Sequence, residues 1–223
     1  MGETIHLTTS DNHRLAAYRA VPAGTAKAGL VVLQEIFGVN HHIRDVCDRF
    51  AAKGYLAVAP ALFDRVERDV ELGYQPSDIE VARTIRPKIP LDSTIADIAA
   101  AVPIAAAAGK VGVVGYCWGG FLAWVAAGEI DGVAAAVGYY GGGIAGRLDH
   151  PPRVPTMLHF GEEDHGIPLT DVDKIRAAYP QVPIHLYPAG HGFACDARAS
   201  YDAASTAQAL DRTLAFFESH LGQ

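Results

Sequence analysis

The segment VGVVGYCWGGFLAW (residues 111–124) is the feature that most restricts how this chain can fold. Its β-branched run is typical of a buried strand, a glycine-rich turn follows directly, and the apolar segment after the turn is typical of a helix. A cysteine at such a junction allows three interpretations. The turn carries a nucleophile, it holds a phosphate, or its glycines only allow close packing.

Strand-like segments alternate with helix-like segments along the chain. The first two strands are predicted as an antiparallel pair at residues 3–9 and 14–21. Later strands are predicted within residues 28–38, 55–60, 110–115, 133–142, 155–161 and 183–187, and helices at 40–54, 78–85, 91–109, 119–129, 170–180 and 200–221. This alternation predicts one α/β domain over residues 1–223, with a mostly parallel central sheet and helices on both faces.

The charge and the cysteine content narrow the class of protein. The net charge of −7, without blocks of Lys or Arg, argues against nucleic acid or an anionic membrane as partner. Three cysteines are too few, and odd in number, for a disulfide framework. No signal peptide is visible and no apolar stretch of about 18 residues is expected. We therefore expect a cytoplasmic protein.

The turn fits a nucleophile better than the alternatives. GYCWG (residues 115–119) has the Gly-x-nucleophile-x-Gly pattern of an elbow between strand and helix, with Cys117 at its centre. Glycines on both sides leave room for the neighbouring strand and helix, and a helix N-terminus favours thiolate. The glycine spacing of a dinucleotide site and the Lys-Ser/Thr of a phosphate loop are absent. A small buried hydrophobic role for Cys117 is the other interpretation.

A base and an orienting acid follow in the chain order expected for such an elbow. FGEEDHGIP places Glu162, Glu163 and Asp164 after one predicted strand, and PAGHGF places His191 after the next. Active-site groups of open α/β sheets lie beyond the carboxyl ends of strands, so these side chains are expected near Cys117. The residues alone leave open which of the three acids orients His191.

An oxyanion formed during acyl transfer needs two N–H donors. The backbone N–H of Trp118, directly after the nucleophile, is one candidate, and that of Ile36 in the LQEIFG loop is the other. Glu35 would then point into the site and could accept a hydrogen bond from a neutral thiol.

The histidines have no spacing typical of a metal site. These are His41, His42, His159, His165 and His185. Neither a metal nor a cofactor is therefore predicted.

QEIFGVN, GYCWGG, VGYYG, GEEDH and AGHGF together resemble the dienelactone hydrolase (carboxymethylenebutenolidase) family of α/β-hydrolases. The resemblance runs from Gly29 to the last predicted helix. It implies a single-domain α/β-hydrolase fold, a monomer or weak homodimer, and opening of a dienelactone ring to maleylacetate without metal or cofactor.

The resemblance also implies roles for single residues. Cys117 is the nucleophile, His191 the base and Asp164 the group that orients His191. Glu35 corresponds to the glutamate that binds the resting thiol and takes its proton when substrate binds.

Two departures from the family pattern concern the substrate. Cys195 stands four residues after His191, where the family has an arginine that holds the substrate carboxylate. Tyr74, Arg83 and Arg86 are candidates to replace it. Trp118 is larger than the residue expected there and is also a candidate substrate contact. These departures indicate a less anionic or differently shaped substrate. The alternatives are a general carboxylesterase or thioesterase and a non-catalytic, ligand-binding scaffold.

Overall fold

The computed structural model describes residues 2–222, and its strands form one sheet. Within these residues the sheet has eight strands in the order β1-β2-β4-β3-β5-β6-β7-β8. β1 pairs antiparallel with β2 and β2 antiparallel with β4, whereas all other neighbours are parallel. The predicted N-terminal pair and mostly parallel sheet are confirmed. The strands are Glu3–Thr8 (β1), Arg14–Ala20 (β2), Ala28–Leu33 (β3), Tyr55–Pro60 (β4), Val111–Tyr116 (β5), Val133–Tyr139 (β6), Thr156–Gly161 (β7) and Ile184–Tyr187 (β8).

Two of the helices begin at a residue whose side chain caps the helix N-terminus. Asn40 accepts the N–H of Ile43 at 3.2 Å, and Asp202 accepts the N–H of Ser205 at 2.7 Å, so the last helix begins three residues later than expected. The α-helices are His41–Ala52 (α1), Pro76–Ile85 (α2), Leu91–Ala105 (α3), Trp118–Glu129 (α4), Leu169–Ala178 (α5) and Ala203–Leu221 (α6). Short 3-10 helices lie at Leu62–Arg65, Arg86–Lys88, Ala106–Ala108 and Ile144–Gly146.

Both faces of the central strands are buried, as a parallel sheet requires. All residues of β3 and β5 are buried. Because strand side chains alternate, Leu30 and Val32 pack with α1 and α6, whereas Val31 and Leu33 pack with α3 and α4. The predicted helices on both faces are confirmed.

One expectation about apolar segments is wrong. The helical segment Leu91–Ala108 is long and apolar enough, by length and composition, to cross a membrane. In the fold its buried residues, Ile98 and Ala101 among them, pack against the sheet. Asp97 within this segment forms an ion pair with Arg65 at 2.8 Å. Of Leu91–Ala108, 33% is buried in the fold, so this segment packs one side against the sheet.

β3 ends at Leu33, five residues before the end of the predicted strand segment. The following loop is held by Gln34, whose side-chain oxygen accepts the N–H of Leu62 at 3.0 Å. Its amide nitrogen donates to the carbonyl of Glu35 at 3.2 Å. These bonds fix the loop that carries Glu35 and Ile36 at the carboxyl end of the sheet.

Candidate active site

Cys117 lies between β5 and α4 in a backbone conformation that few residues adopt. Its φ is 55° and its ψ is −115°. Its N–H donates to the carbonyl of Tyr139 at 3.0 Å, which ties the turn to β6. Strained backbone of this kind is concentrated at functional sites. The thiol is only partly buried, so a small molecule can reach it.

The glycines around Cys117 are required by close approach of backbone. A Cβ on Gly115 would collide with the carbonyl of Gly119. A Cβ on Gly119 would collide with the carbonyl of Leu33 and lie 2.7 Å from that of Gln34. The start of α4 therefore packs directly on the end of β3, and this contact brings the elbow beside the Glu35 loop.

His191 connects Cys117 to Asp164. Its Nδ1 donates to Asp164 Oδ2 at 2.7 Å, and Cys117 is among the groups that raise its pKa. The Asp164 side chain is fully buried, and its other oxygen accepts the N–H of Gly166 at 2.8 Å. Of the three candidate acids, Asp164 is the one bonded to the histidine.

The charge state of His191 reflects these contacts. Burial disfavours the imidazolium, but the interactions with Asp164 and Cys117 outweigh it and raise the pKa of His191 to about 10. His191 is consequently protonated at neutral pH. The site thus holds a cation beside the Cys117 side chain.

Glu35 is completely buried and has two partners other than the thiol. Tyr74 Oη donates to Glu35 Oε2 at 2.9 Å, and Arg198 Nη1 donates to Glu35 Oε1 at 3.0 Å. The expected bond between Glu35 and the resting Cys117 thiol is not among the hydrogen bonds of residues 2–222. Glu35 instead anchors an ion pair at the edge of the site.

Arg198 is the residue that sequence reasoning missed. It lies seven positions after His191 and its guanidinium packs over the rings of Phe37 and Tyr74, 5.8 and 5.6 Å from their centroids. Gly192, with φ 80°, makes room for it, since a Cβ there would lie 2.8 Å from the guanidinium. The sequence offered one signal. The family arginine is absent at Cys195, so another cation would be required to bind a substrate carboxylate.

The other candidate substrate contacts, Tyr74 and Trp118, have different neighbours. The Leu72 N–H donates to the Phe37 carbonyl at 2.9 Å, and this bond holds the segment that places Tyr74 in the site. Trp118 packs on Phe63 beneath the guanidinium of Arg86, which lies 5.5 Å from the Trp118 ring centroid.

Arg83 is exposed on α2, and within residues 2–222 it forms no hydrogen bond or ion pair. Its predicted contact with substrate finds no support in this geometry.

Two backbone donors lie free near Cys117. Among residues 2–222, neither the Ile36 N–H nor the Trp118 N–H donates to an acceptor. Their loops meet where Gly119 packs on Leu33.

Tyr140 is a second residue whose placement the sequence did not indicate. Its φ is 37°, its ring centroid lies 5.1 Å from that of His191, and its buried hydroxyl has no partner among residues 2–222. Neighbouring Tyr139 instead pairs with Thr213 at 2.6 Å and is a core residue.

The sheet order and the nucleophile elbow define an α/β-hydrolase. The chain matches the sequence model of the dienelactone hydrolase family over residues 15–221 and belongs to that family. Carboxymethylenebutenolidase from Pseudomonas putida is 34% identical over 227 residues, covering 96% of this chain and 95% of that protein. The chain is accordingly a carboxylic ester hydrolase of dienelactone hydrolase type, with a small ester or lactone as substrate.

Solved structures agree with this assignment. A protein from Klebsiella pneumoniae, described provisionally as a dienelactone hydrolase, superposes with a TM-score of 0.83 at 30% identity and covers 99% of this chain and 100% of its own. A dienelactone hydrolase-like promiscuous phosphotriesterase from metagenomic libraries has a TM-score of 0.76 at 19% identity, covering 98% of each chain. The second likeness concerns the fold alone.

Proposed function

We propose that this protein opens a small anionic lactone through a Cys117–His191–Asp164 triad and an acyl-enzyme. The observation that supports it best is the hydrogen bond from His191 to the buried carboxylate of Asp164, together with the interaction of the same imidazole with Cys117. This is the arrangement by which a base activates and then regenerates a nucleophile.

The reaction follows from the donors and acceptors in place. The Cys117 thiol gives its proton to Glu35 as its sulfur forms a bond to the lactone carbonyl carbon, and the resulting oxyanion accepts hydrogen bonds from the N–H groups of Ile36 and Trp118. Collapse of the tetrahedral adduct breaks the ring C–O bond, and His191 gives its proton to the departing oxygen. Water, deprotonated by His191, then attacks the thioester carbonyl and releases the acid and the Cys117 thiolate, which recovers its proton from Glu35.

The substrate class is argued from Arg198. Its guanidinium lies at the site and its only carboxylate partner among residues 2–222 is Glu35. A substrate carboxylate would compete for the same guanidinium, since Arg binds carboxylates through paired N–H groups. Release of Glu35 from Arg198 would leave it free to take the thiol proton. Arg198 therefore favours an anionic lactone over the less anionic substrate that Cys195 alone indicated.

We also propose, from the composition and the resemblance, a single domain, a cytoplasmic location and a monomer or weak homodimer, with neither nucleic acid nor membrane as partner. No metal or cofactor is required by the steps above.

The deciding experiment measures hydrolysis of a cis- and a trans-dienelactone and of a neutral nitrophenyl ester by purified protein. Wild type should open a dienelactone, Cys117→Ala should lose turnover, and Cys47→Ser, which removes a buried thiol packed in the core, should keep it. Ester turnover without lactone turnover would retain the mechanism and reject the substrate. Full activity of Cys117→Ala would reject the mechanism.

A further inference from the structure

Three side chains with metal-binding atoms converge beside the catalytic residues. Glu35 follows β3, His42 lies in the first turn of α1, and Cys195 lies in the loop before α6. One ligand atom of each lies within 4.8 Å of those of the other two. All three residues are buried, with exposed fractions of 0, 2 and 0%. None of the catalytic steps proposed above uses His42 or Cys195.

The His42 imidazole has a ring nitrogen available to bind a cation. Its Nε2 is buried and has no partner among residues 2–222, whereas its Nδ1 lies 3.4 Å from Asp196 Oδ1. With the Nδ1 proton directed at Asp196, the Nε2 lone pair is available. A carboxylate behind a histidine is the usual outer partner of a metal ligand, where it fixes the tautomer.

We infer that Glu35, His42 and Cys195 form a binding site for Zn²⁺ or a similar borderline divalent cation. Thiolate, imidazole and carboxylate are together the ligand set that zinc prefers, whereas Ca²⁺ and Mg²⁺ prefer oxygen alone. Zinc–ligand bonds of about 2.0–2.3 Å require the ligand atoms to close somewhat from their present separation, by side-chain rotation. The S–metal bond forms as the Cys195 thiol loses its proton to solvent.

The charges around the proposed site affect its affinity for Zn²⁺. A bound dication, the Cys195 thiolate and the Glu35 carboxylate sum to zero, and the Arg198 cation beside Glu35 remains. Arg198 therefore opposes metal binding, and Arg198→Gln should bind Zn²⁺ more tightly than wild type. Because Glu35 is shared, the ion should also inhibit turnover. That consequence rests on the proposed function, whereas binding itself does not.

The test titrates the metal-free full-length protein with Zn²⁺ by calorimetry, and with Co²⁺ by absorption, which reports a thiolate–cobalt bond directly. One ion per chain and a thiolate–cobalt band are expected in wild type, Cys117→Ala and Cys47→Ser. Cys195→Ala and His42→Gln should each weaken Zn²⁺ binding at least about 100-fold, and Asp196→Asn about 10-fold. Cys195→Ala should also lose the cobalt band.

Three outcomes would overturn the inference. One is the absence of stoichiometric binding to wild type, a measurement that needs no variant to fold. Another is a cobalt band that persists in Cys195→Ala and disappears in Cys117→Ala, which would place the ion on the catalytic pair. The third is unchanged affinity in both Cys195→Ala and His42→Gln, each checked for wild-type thermal unfolding.

Discussion

Arg198 Nη1 donates to Glu35 Oε1 at 3.0 Å, across 163 positions of sequence. The Glu35 carboxylate is buried and the Arg198 side chain is only 19% exposed. Burial disfavours the charged guanidinium, but Glu35 and Cys117 outweigh it and raise the pKa of Arg198. The pair joins the loop after His191 to the loop after β3, so one interaction links two sides of the site.

The first prediction concerns the stability of this pair. Removing either partner alone leaves an uncompensated buried charge, which destabilises a protein more than removing both. Arg198→Met and Glu35→Gln should each lower the free energy of unfolding, and the double variant should lose less than the sum. A coupling of about 1–3 kcal/mol is expected from urea unfolding of all four proteins. Strict additivity of the two effects would show that the pair contributes no net coupling.

The second prediction concerns substrate charge. Arg198→Gln removes a charge-assisted hydrogen bond to the substrate carboxylate, worth roughly 10- to 100-fold in binding. KM for an anionic dienelactone should therefore rise by that factor, while KM for a neutral nitrophenyl ester should change little. Arg83→Gln, an exposed arginine on α2, is the matched control and should leave both values unchanged. An equal loss on both substrates would assign Arg198 a structural role only.

The residues of the proposed triad could be placed from the sequence because each lies next to a regular element. Cys117 follows β5, Asp164 follows β7 and His191 follows β8. The carboxyl ends of parallel strands meet at one edge of a sheet, so position along the chain was enough to bring them together.

Arg198 could not be placed in this way because its direction depends on two successive turns. The Cys195 N–H bonds the Gly192 carbonyl at 2.9 Å, and the Arg198 N–H bonds the Cys195 carbonyl at 3.1 Å. These turns bury Cys195 and direct Arg198 towards Glu35. No periodic pattern in the sequence predicts such geometry, so the proposed site for a substrate carboxylate became visible only in the fold.

The cluster of Glu35, His42 and Cys195 could not be predicted from the sequence for a different reason. Its members come from three distant segments and have no recognisable spacing. The expectation of no metal rested on the spacing of the histidines and on the family resemblance, and spacing detects only ligands that share a helix or a short loop.

The third prediction concerns the close approach at the elbow. Gly119→Ala would force a Cβ against the carbonyls of Leu33 and Gln34, neither of which can move without shifting β3. The free energy of unfolding should fall by about 1–3 kcal/mol, and the displaced Trp118 N–H should lower kcat as well. Gly24→Ala, where a Cβ would meet nothing within 4 Å, should stay within about 0.5 kcal/mol of wild type. Equal stability of the two variants would contradict this packing.

The fourth prediction concerns pH. The pKa of His191 in the folded protein, about 10, lies above its ordinary value of 6.5, because the interactions with Asp164 and Cys117 outweigh the opposing effect of burial. A group whose pKa is raised on folding stabilises the protein fully below its unfolded pKa, and this contribution is lost as the pH rises towards the folded pKa. The stabilisation from His191 should therefore decline between pH 6.5 and about 10.

Asp164→Asn removes the charged acceptor of this bond and should bring the pKa of His191 back towards its ordinary value. The stability difference between wild type and Asp164→Asn should be largest near pH 6.5 and should shrink as the pH approaches 10. Asp171→Asn, which removes a surface pair with Lys174, is the control and should show a small difference that does not change over this range. Urea unfolding across the range and the NMR titration of the His191 ring protons measure the two effects separately. A stability difference that grows with pH would mean that His191 is neutral in the folded protein, and the charged partner assigned to the Cys117 thiol would then be absent.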